Sequence, residues 1–363
     1  MVNKYIDWYL ENYRRQTKAV LNYPDGCVMT GVQGIYEAEK QSKYLDVIYE
    51  FGAKYVDGEG NVSGYQANVH NVDQLRCGTV ILYLYRKTGE IRYRKAADQF
   101  RENLRTFPRL DMGNFWHKEI YPYQVWLDGL YMAMPFYLEY TELFGGEGVY
   151  EDVAGQFANV RKHLYIDDKK IYKHAYDEKK VQVWADPSTG LSPNFWGRAE
   201  GWYLMALADC IPMLEKAGRK ETTLLKELLA EAVEGIVRYQ DEQTGLFYQL
   251  LDLPNQAGNY TETSASAMIS YALMKGTRIG VLPGACWEKG KEIFDAVCRE
   301  KLKKKDGNFH LVDICASAGL GPGAKRDGSI AYYLSEKCVD DNAHGAAALM
   351  MAYGEILQKA CGR

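Results

Sequence analysis

No CxxC pair occurs among the eight cysteines, which stand singly at 27, 77, 210, 286, 298, 315, 338 and 361. A disulfide framework or a zinc knuckle would cluster its thiols, so most of these read as reduced, buried space-fillers. No uncharged apolar run approaches the roughly 20 residues of a membrane span. The opening stretch MVNKYIDWYLENYRR mixes charges into its apolar positions and lacks the apolar block of a signal peptide, so a cytoplasmic location is expected. Neither sign of charge prevails: 44 Lys and Arg against 48 Asp and Glu leave −4. The basic face or stripe that nucleic-acid binding requires is missing. There is no GxGxxG after a strand, no GK[ST], no HExxH and no GxSxG, and the six histidines form no triplet at ligand spacing. Phosphate cradling, a catalytic metal and a serine nucleophile are therefore not expected, nor is any cofactor. No Pro/Ser-rich linker divides the chain, and nothing in it fixes an oligomeric state.

What is abundant is apolar and aromatic. Of 363 residues 47% are apolar, enough for a large core, and Tyr alone contributes 29. Rings with polar tips suit a cleft for polar, ring-shaped ligands, but equally a Tyr-rich helical core. A repeat then organises the chain. YEAEKQSKYLDVIYEF (36–51), YRKTGEIRYRKAADQF (85–100) and YTELFGGEGVYEDVAGQF (140–157) align, with Tyr and Phe 15, 15 and 17 residues apart. Recurrence at about 50 residues marks a repeated supersecondary unit, here an αα-hairpin with turn chemistry at its centre.

Within each unit the first helix is apolar nearly all round and the second is amphipathic, the pattern of a buried helix beside an outer one. FWGRAEGWYLMALADCIPML with TTLLKELLAEAVEGIVRYQ, and ETSASAMISYALMKGTR with CWEKGKEIFDAVCREKL, continue it. The last inner helix, NAHGAAALMMAYGEIL, has no helix after it. The N-terminal NKYIDWYLENYRRQTKAVL is its expected partner and would close a ring. Six inner and six outer helices predict an all-α (α/α)6 barrel, a six-hairpin toroid forming one domain over 1–363. An open solenoid of hairpins is the competing topology.

In such a toroid the N-terminal ends of the inner helices ring one mouth, and several polar residues stand there. Asp128, in FWHKEIYPYQVWLDGLYMAMPFY (115–137), lies between Trp126 and Tyr131. It reads either as an N-cap or as a carboxyl whose desolvation raises its pKa enough for general-acid work. Asp73, in NVDQLRCGTVILYLY, is a second cap candidate or the partner of an acid/base pair. Arg198 and Trp202, four apart in NFWGRAEGWYLMAL, share a helix face. They could form a cation–π pair or grip an anionic sugar. His117, Lys118, His174 and His344 are weaker signals, since a lone histidine is more often a satisfied structural group. The Gly-rich segment CASAGLGPGAKRDGSIAYYL (315–334) reads as a lid over the mouth.

Taken together, NVDQ, FWHKEIYP, the WLDGLYMA-PF stretch, FWGRAEGW, the RDGS segment and DNAHG resemble the unsaturated rhamnogalacturonyl hydrolases, family 105 of the glycoside hydrolases, with the family 88 unsaturated glucuronyl hydrolases as cousins. The likeness runs from about residue 25 to the C-terminus. It implies an (α/α)6 barrel without a cofactor. It also implies Asp128 as catalytic acid/base, Asp73 as its partner carboxylate, and His117, Lys118, His174, Arg198 and Trp202 around the substrate's unsaturated uronate. Arg198, with His174 or Lys118, would offset the uronate carboxylate. The implied reaction hydrates the C4=C5 bond that polysaccharide lyases leave at a non-reducing end, as in pectin degradation. The implied partner is thus an unsaturated oligosaccharide. Glu200 stands where Asn is the expectation, which implies an altered pocket edge. Alternative readings are action on glucuronan, ulvan or glycosaminoglycan fragments, a sugar epimerase, an ordinary uronide hydrolase, or a carbohydrate-binding scaffold without catalysis.

Overall fold

A computed structural model describes residues 1–16 and 20–362. Six helices form a closed inner ring: α2 (Tyr23–Glu39), α4 (Val72–Thr88), α6 (Leu127–Phe144), α8 (Gly197–Lys216), α10 (Thr263–Arg278) and α13 (Ala343–Ala360). Each packs on the next, and α13 packs directly on α2. The outer layer is α1 (Val2–Arg14), α3 (Ser42–Tyr55), α5 (Ile91–Thr106), α7 (Val149–Leu164), α9 (Thr222–Ile236) and α11 (Gly284–Lys301). The chain is therefore a six-hairpin toroid, and the closed ring excludes the open solenoid.

The repeat is visible as geometry. Tyr36, Tyr85 and Tyr140 sit near the ends of inner helices, while Phe51, Phe100 and Phe157 plug the space behind, at most 3% exposed. Lys40 and Gly89 turn two of the hairpins in the left-handed region, where Gly pays no steric cost and Lys is unusual. Closure depends on small residues. A Cβ on Gly31 would lie 2.7 Å from the Cβ of Met350, and one on Gly354 would meet the backbone of Gly34 at 3.2 Å. At Gly31 no side chain fits between these helices, and at Gly354 one would force a small shift.

The first helix is shorter than the sequence pattern suggests. It ends at Arg14, and part of the expected stretch to Leu21 falls on 17–19, outside the described residues. It also seals the ring differently. α1 packs on the hairpin β5 (Leu302–Lys305)–β6 (Asn308–Leu311), Trp8 meeting His310 edge-on at 4.6 Å. Tyr13 donates to Asp25 of α2 at 2.9 Å. The ring closes through α13 and α2 themselves, with α1 outside the seam.

Two more short ribbons cross the loops, along with a six-residue helix, α12 (Ile330–Ser335). β2 (Tyr165–Ile166) pairs with β3 (Ile171–Tyr172), and β1 (Gln124–Trp126) with β4 (Ala175–Asp177). The second of these ribbons matters most for the site. All eight cysteines are free thiols; four are buried, but Cys338 and Cys361 are exposed and fill nothing. Among the described residues no helix is long and apolar enough to cross a membrane.

Candidate active site

Backbone pairing assembles the mouth. Val72, the first residue of α4, donates its N–H to His117 O at 3.1 Å, and His117 N–H goes to Gln124 O at 2.8 Å. β1 then pairs with β4 in a register that sets Trp126 opposite Ala175. Leu127 N–H, entering α6, reaches His174 O at 3.1 Å. This chain of bonds brings Asp73, His117, Lys118, Asp128 and His174 together from segments scattered over a hundred residues.

Neither aspartate is a cap. The N-cap of α4 is Asn71, whose Oδ1 accepts the Asp73 N–H at 3.1 Å. The N-cap of α6 is Trp126, with no side-chain cap bond. Asp73, Asp128 and Arg198 all occupy the second position of their helices, and Tyr23 the first. Four inner-helix N-termini thus converge, and their dipoles favour negative charge in the space between. That space is a cavity of about 110 Å³ walled by Tyr23, His117, Tyr121, Trp126, Trp196 and loop residues 317–319, among others, with Asp73, Asp128, Lys118, Arg198 and Arg326 as its charged groups. A groove of about 380 Å³ adjoins it, sharing Tyr23, Asp73 and Lys118.

Electrostatics corrects the expectation for Asp128. Burial pushes its carboxyl up, but His174 and His117 outweigh it and hold the pKa below the ordinary carboxylate value. Aromatic neighbours alone suggested a raised pKa; His174, 46 residues away in sequence, reverses the direction. His174 Nε2 lies 3.1 Å from Asp128 Oδ2, off the line of a good hydrogen bond, and its Nδ1 is 2.7 Å from Tyr333 Oη. His174 is fully buried behind Asp128 and is not part of the cavity wall. Desolvation lowers His117 to about 4, so its imidazole is neutral, stacked 4.1 Å from Trp126. Lys118 Nζ is 2.6 Å from Asp73 Oδ2.

Two further sequence expectations change. Arg198 stacks at 4.7 Å over Trp196, not Trp202. Its Nη1 donates to Cys315 O at 2.5 Å and to Ser264 Oγ at 3.3 Å, with Glu262 4.0 Å away. Trp202 is 2% exposed, stacked 5.0 Å from Tyr131 and edge-on to His344; it does not line the cavity. Glu200 does not reach the pocket edge at all. Its Oε1 accepts the Tyr172 N–H, its Oε2 has no partner, and burial raises its pKa to about 8.

Tyr23, Trp196, Tyr333 and Arg326 were not singled out in the sequence. Tyr23 Oη is 2.6 Å from His344 Nε2, and His344 Nδ1 is 2.6 Å from Asn342 Oδ1. The Asn342 oxygen takes the Nδ1 proton, so Tyr23 donates to Nε2 and turns its lone pairs to the cavity. Desolvation holds His344 well below its ordinary pKa, so it stays neutral. The DNAHG segment carried part of that signal; Tyr23 carried none.

Paired first-turn carboxylates thus stand in an aromatic-walled cavity at the mouth of an (α/α)6 toroid. Comparison with known proteins gives the family. Residues 1–360 match the model of Glycosyl Hydrolase Family 88, and the chain belongs to that family. A glycoside hydrolase of family 105 from C. acetobutylicum superposes with a TM-score of 0.93 at 39% identity, covering 97% of this chain and 98% of that one. The unsaturated rhamnogalacturonyl hydrolase YesR of Bacillus subtilis is 29% identical over 265 residues, 71% of each protein. The unsaturated glucuronyl hydrolase of Bacillus sp. GL1 shares the fold, with a TM-score of 0.69 at 16% identity over 97% of this chain and 96% of that one.

Proposed function

We propose that this glycosidase removes a 4,5-unsaturated uronate from the non-reducing end of lyase-generated oligosaccharides, those of rhamnogalacturonan first. The observation carrying the proposal is the pair of first-turn carboxylates in one cavity, Asp128 against His174 and Asp73 against Lys118. The YesR likeness supports rhamnogalacturonan as the substrate class.

The substrate double bond is an enol ether, and protonation at C4 places positive charge on C5 and the ring oxygen. Asp128 is the acid. It is ionised before substrate binds, but a bound uronate adds like charge and excludes water, and both raise its pKa. Water then adds at C5 and gives its proton to the Asp128 carboxylate or to Asp73. The C5 hemiketal opens by breaking its bond to the ring oxygen. The hemiacetal left at C1 collapses to an aldehyde and releases the neighbouring sugar. His117, neutral and stacked on Trp126, and Tyr23, with its lone pairs inward, hold the ring's hydroxyls. The adjoining groove past Asp73 and Lys118 receives the leaving sugar.

The test is an ultraviolet time course on unsaturated rhamnogalacturonan and glucuronan disaccharides, with saturated uronides as control. Loss of the conjugated double bond together with release of the neighbouring sugar is expected, fastest on rhamnogalacturonan. Cleavage of saturated uronides, or no loss on either unsaturated substrate, overturns the reading.

A further inference from the structure

Three cations line the catalytic cavity; Lys118 is fully engaged and Arg198 is engaged through one nitrogen, Nη1. Lys118 is ion-paired with Asp73, and Arg198 donates to Cys315 O and Ser264 beside the Glu262 carboxylate. His117 is neutral. Arg326 differs: among the described residues no hydrogen bond or ion pair occupies its guanidinium. The loop between β6 and α12 carries it on a short turn of 3-10 helix, Ala324–Arg326.

That loop is fastened on both sides of the arginine. Tyr332 Oη donates to Gly319 O at 2.5 Å, Gly321 N–H to Arg326 O at 3.0 Å, and Asn194 Nδ2 to Gly328 O at 2.6 Å. The neighbouring Asp327 is spent on the Ser329 N–H at 2.9 Å. Gly319 makes room for the guanidinium. A Cβ there would lie 3.3 Å from Arg326 Nη1 and 3.5 Å from the Trp126 ring, two residues from Asp128.

We propose that Arg326 is the cation that receives the carboxylate of the substrate's terminal uronate. This rests on the reading of the site as one for unsaturated uronides. Arg326 acts beside Arg198, whose Nη1 is held by Cys315 O and Ser264 Oγ while, among the described residues, its Nη2 and Nε carry no such bond. A planar guanidinium with free donors matches a carboxylate in two parallel bonds, and its fixed loop spends little order on binding. A cation held at the carboxylate draws electrons from C5, where positive charge develops, so Arg326 serves binding and not acceleration.

Two measurements separate this inference from the reading beneath it. Wild type, Arg326→Met and Arg326→Lys are assayed on an unsaturated uronyl disaccharide and on its methyl ester. Calorimetric titration of the Asp128→Asn protein, with and without Arg326→Met, uses the same two compounds. The expected result is a KM for the acid raised about tenfold to a hundredfold in Arg326→Met, with kcat nearly unchanged and Lys restoring part of the loss. Wild type should prefer acid to ester, and Arg326→Met should not. Equal losses on acid and ester, or an unchanged KM, overturn the role of Arg326. If wild type consumes neither compound yet Asp128→Asn binds the acid selectively through Arg326, the uronate site stands and the proposed reaction falls. Absence of both turnover and acid-selective binding overturns both.

Discussion

Nε2 of His174 lies 3.1 Å from Oδ2 of Asp128, and neither atom has a well-aligned hydrogen-bond partner. In the middle of a protein such atoms are normally satisfied. Here Asp128 lines the cavity and His174 lies buried behind it.

The first prediction concerns Asp128 itself. Its side chain caps no helix, so Asp128→Asn should leave the thermal transition close to wild type. Removing the acid should reduce kcat by at least about a hundredfold while KM changes little. Steady-state kinetics beside a melting curve checks both. Near-normal turnover would remove Asp128 from the reaction and leave Asp73 as the candidate acid.

The second concerns pH. Asp128 faces His174, His117, Lys118, Arg198, Tyr23 and Tyr333. His174 is the largest of the influences that hold its pKa down against burial. In His174→Gln the desolvation remains and its main counterweight is gone, so the Asp128 pKa rises. The alkaline limb of the kcat profile should move to higher pH, even as the maximum falls. A limb that stays in place would mean that another group supplies the proton.

Glu200 gives a prediction about stability. Its folded pKa of about 8 lies above the unfolded value of about 4.3, so the native state binds a proton that the unfolded chain releases. Stability is therefore fully present below about pH 4.3 and declines as pH rises through about 8. Glu200→Gln keeps the acceptor for the Tyr172 N–H and abolishes the titration. Urea midpoints of the variant should fall less than those of wild type between these limits. A parallel decline would show that Glu200 is ionised in the fold.

Chelation supplies a further check. Among the described residues no three or more His, Cys, Asp or Glu side chains gather as metal ligands. Exhaustive treatment with a chelator should leave the initial rate unchanged. A rate lost to chelation and restored by a divalent ion would require a different mechanism.

The helices were legible because their periodicity is local, and the repeat of Tyr and Phe made the ring countable. The three ribbons were not. A three-residue strand such as Gln124–Trp126 has no period to read, and its partner lies some fifty residues away. The site divides along the same line. Asp73, Asp128 and Arg198 could be found because each opens a helix beside recognisable turn and aromatic residues. The sign of the Asp128 shift, the use of Arg198 by Cys315 and Glu262, and the burial of Trp202 depend on contacts across the ring. Composition could not reveal these.

The last prediction tests closure of the ring, using two glycines three residues apart in α2. Both lie in a helix interior, where Gly costs roughly 0.5–1 kcal/mol relative to Ala. Gly31 faces α13, and its Cβ would approach the Met350 Cβ to 2.7 Å and the Ala347 carbonyl oxygen to 3.1 Å. Those atoms belong to a rigid helix and cannot swing aside, so the helices must separate and overpacking outweighs the gain in propensity. Gly31→Ala should destabilise the protein by about 1–3 kcal/mol. A Cβ on Gly34 would meet nothing within 4 Å. Gly34→Ala should keep the gain and raise stability by about 0.5–1 kcal/mol. The two substitutions are chemically identical and should shift the urea midpoint in opposite directions. Shifts of the same sign would mean that α2 and α13 do not close the ring through this seam.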